Sequence, residues 1–237
     1  MGTYGGPHIV TDGLFRGPEL VTEGLFSAFD AAAPRSYTSG SSTWNDLSGH
    51  NNGSDVRASN EFSTDFNGGI AVVAQTGGVK MPGWDDRTVW TTGFVYTRTG
   101  NPTSYGRLLG SGGGTGGIDT GEVALFSTDG NLRFNGPRDS WTDSGVTIAL
   151  NSTTYIVLYM NRSNGEVKIF INGEEQYSVT QSGTDEGDFE YYSLGTRSDF
   201  NTEFTPGIYY CCHSYGRELA THEVKQNYNA LKSRFNI

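Results

Sequence analysis

Long apolar runs, positive charge and cysteine are what this chain has little of. No stretch of about 20 consecutive apolar residues occurs in its 237 residues, so no segment reads as a membrane-crossing helix. Lys and Arg total 16 against 26 Asp and Glu, a net charge of −10. A surface of that sign repels phosphate and argues against nucleic acid or an anionic membrane as partner. Cysteine occurs twice, at the neighbours Cys211 and Cys212. A bond between sequence neighbours is strained, and in a strand their side chains point to opposite faces. Both are therefore expected as free thiols, which implies folding in a reducing, cytoplasmic compartment. Met1 to Pro7 has neither the basic nor the apolar region of a secretory signal, and Gly6 stands where a myristoylation signal needs Ser or Thr. His8, His50, His213 and His222 show no metal-ligand spacing. No Ser is framed as a Gly-x-Ser-x-Gly elbow. The run Gly110–Gly117 lacks the Gly-Lys-Ser/Thr of a phosphate-binding loop and is read as a flexible hairpin tip, or as bare backbone meeting a partner or sugar.

What the chain has instead is glycine and aromatics. Gly numbers 34, about twice the average share of roughly 7%, and aromatics reach 13% with only 18% charged residues. That mix suits short strands and tight turns, not disorder, and the length fits one large all-β domain. Thr154–Asn161 is β-branched and aromatic; Glu166–Asn172 alternates, with Val167, Ile169 and Ile171 on one face; Asn164-Gly165 and Asn172-Gly173 mark turns. This is a hairpin signature. Further strands are predicted at Leu25–Asp30, Phe62–Phe66, Ile70–Ala74, Thr88–Thr97, Glu122–Ser127, Asn131–Asn135, Tyr191–Leu194 and Gly207–Tyr215. Trp90 falls in an apolar strand and reads as core. One helix is predicted near the C-terminus, with Thr221 as N-cap, Glu223 in the first turn and an apolar stripe of Val224, Tyr228, Leu231 and Phe235.

The N-terminus carries a duplication. Gly6-Pro-His-Ile-Val-Thr-Asp-Gly-Leu-Phe15 recurs 11 residues later as Gly17-Pro-Glu-Leu-Val-Thr-Glu-Gly-Leu-Phe26. Seven of the ten pairs are identical, and Ile9/Leu20 and Asp12/Glu23 are conservative. Two copies do not build a solenoid. The second copy runs into the strand Leu25–Asp30, so residues 1–23 are read as an arm and 24–237 as the domain. Ile9, Val10, Leu14 and Phe15 are the candidate assembly residues. The arm either pairs with a neighbouring subunit by strand addition or adds an edge strand to its own domain.

The segments Gly24–Asp30, Pro34–Tyr37, Thr43-Trp44-Asn-Asp-Leu-Ser-Gly49 and Asn51-Asn-Gly53 together resemble the opening of concanavalin A-like lectin/glucanase domains of the laminin G type, in the form common in bacteriophage virion proteins. The hairpin Val167–Gly173, the stretch Arg217-x-Leu219-x-x-x-Glu223-Val224 and the closing Gln226–Phe235 are similar to that family as well. The resemblance covers residues 20–237 and implies a two-sheet antiparallel jelly-roll sandwich with a short C-terminal helix. It also implies a virion structural protein assembled in a host cytoplasm. The expected form is a non-enzymatic capsid decoration protein, with the major capsid protein or tail proteins as partners and self-association. The alternatives are a tail or fibre protein recognising host glycan and, further off, a glycan hydrolase.

The candidate sites follow from these readings. Trp84 and Trp141 stand in turn-like polar contexts and, with Tyr105, are the carbohydrate-binding candidates, since flat aromatic faces stack on sugars; otherwise they anchor loops or form an interface. Glu186, Asp188 and Glu190 resemble the Glu-x-Asp-x-Glu strand of retaining glucanases, which need two carboxylates about 5–5.5 Å apart, but Thr184–Asp188 also reads as a polar turn. Asp30 and Asp46 are either calcium ligands, as in some lectins, or caps of local turns. With no clear ligand set, no cofactor is expected.

Overall fold

The computed structural model describes residues 19–50, 54–85, 88–102, 105–112, 124–127, 129–135, 141–182, 189–197 and 199–237. Among these residues fifteen strands form two antiparallel sheets, laid face to face. The first sheet contains β1 (Leu25–Asp30), β3 (Asn60–Ser63), β4 (Gly69–Val72), β6 (Val89–Arg98), β11 (Thr153–Asn161), β12 (Glu166–Ile171), β13 (Glu174–Thr180) and β15 (Gly207–Tyr215). Its order is β13-β12-β11-β6-β15-β4-β3, with β1 pairing the C-terminal half of β15 beside β4. The second contains β2 (Asp55–Val56), β5 (Val79–Asp85), β7 (Tyr105–Gly112), β8 (Ala124–Ser127), β9 (Asn131–Asn135), β10 (Trp141–Thr147) and β14 (Phe189–Leu194), in the order β10-β9-β8-β7-β14-β5-β2. This is the two-sheet jelly-roll sandwich expected from the sequence. Among the described residues the one long helix, α1, runs Thr221–Phe235. No helix among the described residues is long and apolar enough to cross a membrane.

Strand alternation explains what lies between the sheets. Ile156, Leu158 and Met160 of β11, Val167 and Ile169 of β12, and Trp90, Phe94 and Tyr96 of β6 meet Met81, Leu109, Leu132, Phe134, Tyr192 and Leu194 of the second sheet in one buried cluster. The opposite faces of the same first-sheet strands are also buried. Val95, Tyr155, Val157, Phe170, Tyr210 and Cys211 belong to a second apolar cluster with Val224, Leu231 and Phe235 of α1. β6, β11 and β15 are thus covered on both sides, which is why they read as nearly continuous apolar runs. Each large side chain buried on α1 contributes roughly 1.5–3 kcal/mol, so the helix holds to the sheet through its stripe more than through its propensity. Cys212 belongs to the inter-sheet cluster and Cys211 to the helix side, both as free thiols.

Polar contacts fix the helix. Arg234, near its C-terminus, forms a two-pronged ion pair with Asp30 of β1; Nη2 donates to Oδ1 at 2.8 Å and Nη1 to Oδ2. Asp30 is fully buried. At the other end Arg217 grips Glu223 with both terminal nitrogens, at 2.8 and 2.6 Å. The guanidinium holds the Glu223 carboxyl well below the usual range, at about 2. Glu223 also accepts the Ala220 N–H at 2.8 Å. Ala220, in extended geometry, is the N-cap residue, one position before the Thr221 expected.

The residues just before β1 are strapped beneath α1. Val21 is buried, its N–H donating to Asn227 Oδ1 at 2.8 Å and its carbonyl accepting the Tyr215 hydroxyl at 3.0 Å. Gln226 and Arg217 donate to the carbonyls of Glu19 (2.9 Å) and Glu23 (3.1 Å). Gly24 turns the chain into β1 with a left-handed φ of 72°, a conformation glycine adopts without steric cost.

The structure departs locally from the strand expectations. The strand read as Phe62–Phe66 ends at Ser63; Phe66 sits in a 3-10 turn with φ 49° and packs edge-on to Tyr210 and Phe235. Asn172 and Gly173 both have positive φ, 51° and 84°, and make the tight hairpin turn. The β11–β12 turn is longer, closed by Asn161 Oδ1 to the Ser163 N–H and Asn164 Oδ1 to the Glu166 N–H.

Candidate functional site

The covering of the first sheet leaves the outer face of the second as the place to look for a site. In β14, Tyr192 and Leu194 point into the core, so Tyr191 and Ser193 take the other face; Tyr191 is half-buried there, while Ser193 is covered, its hydroxyl donating to the Thr196 carbonyl at 2.6 Å. Register pairs Tyr191 with Pro82 of β5 and Gly112 of β7, and Ser193 with Lys80 and Gly110. Lys80 Nζ lies over the Tyr191 ring, 4.0 Å from its centroid, a cation–π contact. On the β7 side the positions opposite Tyr191 and Ser193 are glycines, Gly112 and the buried Gly110. The result is a half-buried tyrosine with an ammonium over its ring and a glycine as its β7 neighbour.

Charged pairs border this strip. Arg107 of β7 is 3% exposed and meets Glu203 at 2.8 Å, while its backbone bridges to Phe204. Farther across, Arg133 of β9 and Asp143 of β10 pair in the open at 3.3 Å.

Sequence reading named Trp84, Tyr105 and Trp141, and all three fall on this second sheet, in β5, β7 and β10. Of Trp84 and Trp141 the backbone alone is described. Strand direction separates the three. β5 and β7 both run antiparallel to β14, so the end of β5, with Trp84, and the end of β7, with Gly112, lie at one end of the sheet. Trp141 pairs with Asn135 at the end of β9, which by the same count is that end too. Tyr105 begins β7 and pairs with Ser127; it stands at the opposite end, 47% exposed. The topology thus brings Trp84, Tyr191, the start of the glycine-rich run and Trp141 to one end of one sheet and sets Tyr105 apart. Lys80 and Tyr191 were missed by sequence reading. The signal was the alternation in Tyr191-Tyr-Ser-Leu194, which sends one tyrosine inward and one outward, yet does not say which until the core is known.

The remaining candidates separate as follows. Glu186 and Asp188 lie outside the described residues, and of Glu190 only the β14 backbone is described. Gly113–Gly117 and the first repeat copy, with Ile9, Val10, Leu14 and Phe15, lie outside them as well. Asp30 and Asp46 serve the fold. Besides its ion pair, Asp30 accepts the Ala32 N–H; Asp46 Oδ1 accepts the N–H groups of Ala28 and Ser48, and Oδ2 the Ser48 hydroxyl. Among the described residues, no group of three or more His, Cys, Asp or Glu is placed to share a metal ion. His213 is fully buried beneath α1, Nε2 2.8 Å from the Tyr155 hydroxyl. Burial drives its pKa down to about 3, so it is a neutral packing residue.

No family model matches the sequence, and no curated protein does. Solved structures match the fold. A Trypanosoma rangeli sialidase aligns over 92% of this chain and 34% of its own, with a TM-score of 0.71 and 16% identity. The same enzyme in complex with sialic acid aligns over 92% and 35%, with a TM-score of 0.71 and 15% identity. The receptor-binding domain of botulinum neurotoxin type G aligns over 86% and 50%, with a TM-score of 0.64 and 13% identity. The chain therefore spans about a third of the sialidases and half of the toxin domain. At these identities the shared property is the β-sandwich. The expectation of a non-enzymatic chain is corrected here: the neighbours of this sandwich include parts of enzymes. Neither the absence of a Ser elbow nor the lack of histidine spacing separates it from them.

Proposed function

We propose that the chain is a carbohydrate-binding β-sandwich that takes glycan on the outer face of its second sheet, at the end where Trp84 and Tyr191 stand on neighbouring strands, with Trp141 four strands beyond Tyr191 along the same end. One observation carries this reading: α1 and the strap cover the central strands of the first sheet, while the second sets the half-buried Tyr191, with Lys80 over its ring, beside Gly112 of β7. An aromatic face beside a glycine suits the flat C–H face of a sugar ring, and Lys80 would donate to its hydroxyls or to an acidic substituent. The neighbours support the class: one is described as a sialidase in complex with sialic acid, another as a receptor-binding domain.

The setting rests on the sequence motifs. Their resemblance to phage virion domains supports a displayed virion protein, on capsid or tail, with virion proteins as partners; many copies would turn a weak site into avid binding. The test is a glycan array probed with a multimerised preparation. Binding is expected for wild type and for Tyr105→Ala, and is expected to be lost in Tyr191→Ala and weakened in Trp84→Ala and Trp141→Ala. No glycan bound by the multimer, or loss only in Tyr105→Ala, refutes the placement.

A further inference from the structure

The strap cleft is built to read a motif that the chain carries twice. Asn227 Oδ1 accepts the Val21 N–H, and Gln226, Arg217 and Tyr215 donate to the carbonyls of Glu19, Glu23 and Val21, so every group they meet on the strap is main chain. The side chain it buries most deeply is Val21, and the turn out of it needs Gly24. In the first copy Val10 and Gly13 stand at those positions. Glu19 and Glu23 are exposed and read through their carbonyls, so His8 and Asp12 change nothing the cleft recognises. Leu20, half-buried, becomes Ile9.

We propose that the cleft between α1 and β15 is a binding site for the Gly-Pro-x-[Ile/Leu]-Val-Thr-[Asp/Glu]-Gly-Leu segment, and that residues 8–13 of the same chain are its second occupant. In that register Leu14 and Phe15 replace Leu25 and Phe26 at the start of β1, Ser27 onward keeps its pairing, and residues 16–26 loop out. A loop of this length closes readily, because closure cost grows only logarithmically with length. Occupation from the same chain outcompetes exchange between chains because both free one motif for each they dock, while only the first copy of the same chain is tethered beside the cleft at high effective concentration. The N-terminal arm therefore has two lengths, differing by the 11-residue offset of the repeat.

The test uses the full chain with Val10→Asp, Val21→Asp and both. Val10→Asp is expected to leave the thermal midpoint unchanged. Val21→Asp should lower it by less than half the drop of the double variant, because the introduced carboxylate then lies in the solvent loop while Val10 fills the cleft. A second reading traps the register: His8→Cys with Gln226→Cys, in the Val21→Asp background, should cross-link within one chain. Glu19→Cys with Gln226→Cys in the wild-type background is the positive control. Equal midpoints for Val21→Asp and the double variant overturn the proposal. So does a Val21→Asp chain that does not fold, no cross-link where the control forms one, or a cross-link only between chains.

Discussion

Replacing Arg234 with methionine would leave the Asp30 carboxylate in the protein interior with little to answer its charge. Asp30 is fully buried and Arg234 only 7% exposed, so neither group recovers water without the helix moving. Once the guanidinium is gone, the Ala32 N–H remains on Oδ1, and Oδ2 loses the partner it has in the wild type. Breaking a buried pair from one side costs about 3–5 kcal/mol. For a domain of 150–250 residues each kcal/mol moves the midpoint by about 2–4 °C, so a fall of roughly 6–20 °C is expected for Arg234→Met. The paired replacement Asp30→Leu/Arg234→Met removes both charges, and such apolar substitutions are often neutral or stabilising; it should recover most of the loss. Calorimetry and urea titration of the two single variants and the double close the cycle. A single-variant loss below about 1 kcal/mol, the range of an exposed pair, would refute the account of how α1 is fixed to β1.

Acid should act on this protein through His213. Its pKa falls from 6.5 to about 3 by burial, so the unfolded chain binds the extra proton between those values, and stability falls as pH drops from about 6.5 toward 3. Urea midpoints measured across that range should show a slope that His213→Gln flattens; an unchanged slope would contradict the burial. Burial also drives up the Cys211 thiol, and raises that of Cys212 to about 12. Ellman's reagent should therefore find no thiol in the native protein and two in denaturant; prompt native labelling would place the cysteines elsewhere.

Much of the architecture was legible because it is local. The Asn172-Gly173 turn, the face shared by Val167 and Ile169, the apolar stripe of α1 and the division of Cys211 from Cys212 all follow from periods of 2 and 3.6. What escaped the reading depends on partners far along the chain. Asp30 offered a carboxylate to calcium or to a turn, and nothing nearby announced Arg234, about 200 residues on. Tyr191 and Tyr192 are equivalent until the sheet is assembled. Trp84, Tyr105 and Trp141 each looked like a loop aromatic; only strand direction groups two of them and separates the third. The strap was half visible: the repeat marked the segment, but Asn227 and Tyr215, which hold it, are distant in sequence.

The central place of β15 has a consequence for synthesis. It lies between β6 on one side and β4 and β1 on the other, and all three leave the ribosome before it. Until residues 207–215 emerge, those strands present open edges that no earlier segment fills, and such edges invite pairing with other chains. Completion of the first sheet is thus withheld until most of the domain has been translated. A ribosome stalled before Gly207 should carry a nascent chain that is protease-sensitive and dependent on chaperones, and the same chain should become resistant once α1 has cleared the exit tunnel.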